Sequence, residues 1–91
     1  MDEAQLRRAI QSVGMRIFVQ FNPQFNDPEL TVGDLVARMP KEYTPNARAS
    51  RASVGRRIIN AGAGREALAI IAASKRTEPE VRKRARELLG S

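Results

Sequence analysis

The chain has 91 residues, a net charge of +6, no cysteine and no histidine, with 42 % hydrophobic and 29 % charged residues. That composition suits one small globular domain over residues 1–91 rather than a disordered segment. It excludes disulfides, thiolate zinc sites and any serine–histidine or cysteine–histidine nucleophile, so the expectation is a non-enzymatic protein with no cofactor and no metal.

No apolar run is long enough to span a bilayer. The start, "MDEAQLRRAI", puts acids first and lacks the basic-then-apolar order of a signal peptide. A cytoplasmic protein without membrane partners is expected. The charge is unevenly placed: residues 1–45 hold five bases and six acids, whereas residues 46–91 hold eleven bases and four acids. Such asymmetry points to a polyanionic partner, although solvated arginine-rich helix faces would produce the same count.

Leu6, Ile10, Val13, Ile17 and Phe21 recur at helical spacing and predict a first helix, with Asp2 and Glu3 near its positive end. Asn22-Pro23 should end it. "RIFVQF" also alternates behind Gly14, so a short strand over residues 16–21 stays open beside the helix. "NPQFNDPEL" reads as a loop, with Phe25 as a plug into the core. "TVGDLVARM" predicts a second helix with Thr31 as its cap and Asp34 at the capping-box position. Leu35, Val36 and Met39 form its inner face, and Pro40 ends it.

Thr44 and Pro45 announce a third helix, and Gly62 is suited to its C-terminal stop. Ala47, Val54, Ile58 and Ala61 are its expected core stripe. Ala49, Ala52, Ser53, Arg56 and Asn60 lie opposite. Arg48 leans the same way, and Arg51 and Arg57 flank the stripe. In "REALAIIAAS" the apolar residues run all the way round, which predicts a buried central helix. "TEPE" reads as a capping box for a last helix, with Val81, Ala85, Leu88 and Leu89 inward and Gly90 as the stop. Arg82, Lys83, Arg84 and Arg86 form its outer face. The fold class is all-α: about five short helices in one compact helical bundle.

The stretch from Thr44 to Gly64 carries four arginines, no acid, and otherwise mostly small residues. It fits a surface lying close to a phosphate backbone, and it fits a helix packing closely on its neighbours. Its arrangement resembles a helix-turn-helix DNA-binding unit over residues 31–62. "TVGDLVARM" is similar to the first helix of such units and "SRASVGRRI" to a recognition helix, although "PKEYTPN" is longer than the tight turn of the simple motif.

From the residues themselves, the candidate nucleic-acid-binding set is Arg48, Arg51, Ser53, Arg56, Arg57 and Asn60. Arg56 is suited to a guanine edge and Asn60 to an adenine. Ser50, Ser53 and Thr44 are candidates for phosphates, with Arg48, Arg51 and Arg57 as phosphate clamps.

"EPEVRKRARELLG" resembles the start of a HEAT-type helical repeat, which implies a protein-binding module; one such unit cannot bury its own face. "NAGAGR", Asn60–Arg65, lacks the lysine and preceding strand of a phosphate loop and reads as a helix–helix corner. Asp27, Glu29 and Asp34 match no calcium-loop spacing. Tyr43 is expected to pack at the corner between the second and third helices. The leading expectation is therefore a small regulator or DNA-packaging accessory of bacterial or phage type. It would bind nucleic acid, double-stranded DNA first, as a homodimer. The rival is a helical adaptor or inhibitor gripping an acidic protein partner.

Overall fold

The computed structural model of the chain describes residues 1–90. Among them it places seven helices and no strand: α1 (Glu3–Val13), α2 (Met15–Gln20), α3 (Asn22–Phe25), α4 (Val32–Arg38), α5 (Pro45–Asn60), α6 (Gly64–Ala73) and α7 (Pro79–Leu89). The all-α class stands, but the expected five helices become seven because the first half of the chain is more finely divided.

α1 begins in a reciprocal cap. The Gln5 N–H donates to Asp2 Oδ1 at 2.7 Å, and the Asp2 N–H donates to Gln5 Oε1 at 3.0 Å. The helix stops at Gly14, whose φ of 92° lies where side-chain-bearing residues rarely go. The single helix expected from Leu6 to Phe21 is therefore broken in two. The apolar period survives the break because α2 buries Ile17, Phe18 and Val19 together. The alternation in "RIFVQF" is helical after all. Asn22-Pro23, expected to open a loop, opens the one-turn α3 instead, since proline in a first turn has no N–H to satisfy.

The capping signals of α4 and α5 act as the sequence indicates. Thr31 and Asp34 exchange backbone and side-chain bonds of 2.9 and 3.1 Å at the start of α4. Thr44 Oγ1 accepts from the Ala47 N–H at 3.1 Å at the start of α5. Gly62, φ 72°, turns the chain after α5. There Gly62 N–H donates to Ile59 O at 2.9 Å and Ala63 N–H to Ile58 O at 3.1 Å, closing the helix end. The expected Thr77–Glu80 box does not form. Glu78 is the N-cap of α7 without a side-chain cap bond, and Pro79 takes the first turn.

α5 packs against α1 and α4, and α6 lies along α7. The core between them is one continuous cluster, in which Leu6, Ile10, Val13, Leu35, Met39, Ile58 and Ile71 are fully buried. Phe18 and Phe25 stack within it, with ring centroids 5.8 Å apart and planes inclined by 21°. Phe25 thus ties the 22–30 segment to the core. α6 is not buried all round: Ala67, Leu68 and Ile71 face inward, Ile70 and Ala72 are half-buried, and Ala69 and Ala73 are exposed. Its alanines are small enough to sit at the surface at little cost.

Candidate nucleic-acid interface

The rotation of α5 about its axis decides what this helix can present. Ala52, Gly55 and Ile58 are its buried residues. Ala52, expected on the outer face, is fully buried, whereas Ala61, expected in the core stripe, is exposed. Ala52 and Gly55 face inward because α5 approaches its neighbours closely. A Cβ built at Gly55 would lie 2.5 Å from Cε1 and Cζ of Phe25. The exposed side is instead Asn46, Ala49, Ser50, Ser53, Arg57 and Asn60.

The four arginines of this stretch divide accordingly. Arg56 is half-buried; its Nη2 donates to the carbonyls of Asp27, at 3.1 Å, and Leu30, at 2.7 Å. It fastens the 27–30 segment onto α5. A guanidinium engaged in this way is not available to fork onto a guanine edge. Arg51 lies over the Tyr43 ring, 4.1 Å from its centroid, and its Nη1 donates to the Val13 carbonyl at the end of α1. A cation there also meets the negative end of that helix. Tyr43 accordingly packs at the corner it was expected to fill. Arg48 is half-buried, and its Nε is buried without a hydrogen-bond partner among the described residues.

Arg57 alone of the four is exposed. It meets Arg8 of α1 across a groove of about 410 Å³, also lined by Met1, Gln5, Ala9 and Ser12. No carboxylate lines this groove. Neither arginine is in an ion pair among the described residues. Ser53, Arg57 and Asn60, spaced by four and three, run along one face of α5 beside it. Of the six residues singled out from the sequence, the structure therefore keeps Ser53, Arg57 and Asn60 together on an open face. Arg51 and Arg56 are turned to internal carbonyls, and Arg48 is half withdrawn.

Arg8, Gln5 and Ser12 were not legible as site residues. Their only signal is that they fall off the Leu6–Ile10–Val13 stripe, and nothing in the sequence states that α1 lies beside α5.

The other candidate chemistries resolve into local structure. Asp27 Oδ1 accepts from the Glu29 N–H at 2.9 Å. The Asp34 carboxyl is held below its ordinary range, first by the Thr31 backbone N–H and then by the Thr31 hydroxyl. Among the described residues no group of three or more acids could hold a metal ion. "NAGAGR" is the closed corner between α5 and α6. No described helix is long and apolar enough to cross a membrane. No family model matches the chain, and neither curated proteins nor solved structures give a match.

Proposed function

We propose that this protein binds nucleic acid, double-stranded DNA first, through the phosphate backbone. The contact surface would be formed by α1 and α5 side by side. The observation that carries the reading is the carboxylate-free groove shared by Arg8 and Arg57, two exposed cations from helices distant in sequence. Charges placed on two packed helices hold a fixed spacing, which suits successive phosphates better than flexible charges on one loop. Ser53 and Asn60 supply neutral donors beside them, and Ala49 and Ser50 keep the α5 surface low enough for a backbone to approach. In this reading Arg56 and Arg51 build the surface without touching the ligand. With Arg56, the residue suited to a guanine edge, turned to internal carbonyls, the reading rests on phosphate contacts. A homodimer, expected from the small size of the chain, would double the footprint.

Fluorescence anisotropy with a labelled duplex at several salt concentrations tests this. Arg8→Ala with Arg57→Ala should weaken binding and lower the slope of log affinity against log salt by about 2, at ~0.9 for each phosphate no longer neutralised. Arg38→Ala, an exposed arginine at the end of α4, is the control for general charge. Equal losses from the control and from either single groove substitution would leave no defined surface. Binding unchanged in the double variant would remove the reading altogether.

A further inference from the structure

A second groove lies on the other flank of α1, where it faces α6. It encloses about 520 Å³, and no carboxylate lines it. Met15, Ile70 and Ala73 contribute apolar surface, and Arg7, Lys75 and Arg76 stand around them. Met15 and Ile70 are half-buried and Ala73 is exposed, so this is apolar surface left uncovered by the fold.

We propose that this groove docks an acidic, amphipathic segment of a partner protein, with one apolar side chain seated against Met15, Ile70 and Ala73 and carboxylates meeting Lys75 and Arg76. The proposal is independent of the α1–α5 surface and stands or falls without it.

Charge complementarity selects the occupant. Lys75 and Arg76 are exposed and in no ion pair among the described residues. Arg7 pairs with Glu3 at 3.3 Å, but both side chains are more than half exposed, so an incoming carboxylate displaces that pair at little cost. The apolar part then separates a peptide from a nucleic acid. It is aliphatic and holds no aromatic ring on which a base would stack. An unbranched methionine adapts to different apolar anchors.

The basic pair is also held in place. Arg82 Nη1 donates to the carbonyls of Ser74, at 3.3 Å, and Thr77, at 2.7 Å. Ser74 Oγ accepts from the Arg76 N–H at 3.2 Å within the same loop. Lys75 and Arg76 thus project from a loop fastened at both ends, and less ordering entropy is lost when a partner binds.

The probe is a fluorescein-labelled twelve-residue peptide with leucine at helical spacing and aspartate or glutamate elsewhere. Its control has serine in place of every leucine. Both are titrated against the full chain, with ¹⁵N-resolved NMR to map the contact. The leucine peptide should bind at least tenfold more tightly than the serine peptide and shift signals of Met15, Ile70, Ala73, Lys75 and Arg76. Lys75→Glu with Arg76→Glu, and separately Ala73→Glu, should each weaken it at least tenfold while leaving the circular dichroism unchanged; these positions are exposed. Equal binding of the two peptides would reduce the groove to a patch of charge and overturn the proposal. So would no binding of either, or shifts gathered at Arg8 and Arg57 instead. Displacement of the peptide by a DNA duplex that itself shifts Lys75 and Arg76 would hand the groove to nucleic acid.

Discussion

Replacing Gly55 by alanine tests the packing on which the orientation of α5 depends. The added methyl carbon would lie 2.5 Å from two ring atoms of Phe25 and 2.9 Å from a third. Favourable carbon–carbon separations are about 3.5–4.0 Å, so helix and ring must part by roughly 1 Å. Phe25 has no slack to give, since it is 1 % exposed and stacked on Phe18. Overpacking of this kind costs about 1–3 kcal/mol, and contact with three ring atoms belongs at the upper end. The higher helix propensity of alanine in mid-helix returns about 1 kcal/mol. The net expectation is a destabilisation of about 2 kcal/mol, or a midpoint lowered by roughly 10 °C in a chain of this size.

Thermal and urea melts followed by circular dichroism measure it. Gly33→Ala is the internal reference. Its methyl would meet only the Thr31 hydroxyl at an ordinary 3.6 Å, so the same chemical change should be neutral or stabilising. In a Phe25→Leu background the further cost of Gly55→Ala should shrink, because the ring that it strikes is gone. A Gly55→Ala variant as stable as the parent would refute the close approach. With it would go the rotation of α5 that brings Arg57 outward.

Arg56→Ala should cost about 1.5–3 kcal/mol in urea melts, because it removes the charged donor that holds the Asp27 and Leu30 carbonyls, while the salt slope of duplex binding stays as it was. Gly14→Ala should cost about 2 kcal/mol in the same assay. The residue has φ 92°, and a Cβ there would lie 2.8 Å from Arg51 Nη1. Thr31→Ala should cost about 1 kcal/mol through loss of the α4 cap. The Asp34 carboxyl is held below its ordinary range, so its contribution is complete above the unfolded value of about 3.9 and is lost as pH falls through the lower folded value. Asp34→Asn should therefore flatten the acid limb of a stability-against-pH curve; an unchanged limb would assign it to other carboxyls.

What was legible in the sequence, and what was not, divides by the range of the interaction. Thr31 with Asp34, Thr44 with Pro45, and Gly62 are satisfied within a few residues of themselves, so their reading needs no tertiary knowledge. The break at Gly14 is also local, yet the apolar period runs straight through it, because α2 buries three consecutive side chains and so includes the one a continuous helix would have buried. The rotation of α5 escapes the sequence for a different reason. Hydrophobicity assigns the inside of a helix to its larger apolar residues, but α5 is placed by close approach, which selects Ala52 and Gly55. That choice also reassigns the arginines. Once Gly55 faces Phe25, Arg56 must run alongside the buried seam, where its guanidinium reaches the Leu30 carbonyl and shares the Asp27 carbonyl with the Leu30 N–H. Arg57, one residue further round, is carried out to Arg8. Adjacent arginines of identical chemistry thus take opposite places, one holding a loop and one left exposed beside Arg8. The deciding fact is the absence of a side chain two residues before Arg57, which no count of charge along the sequence registers.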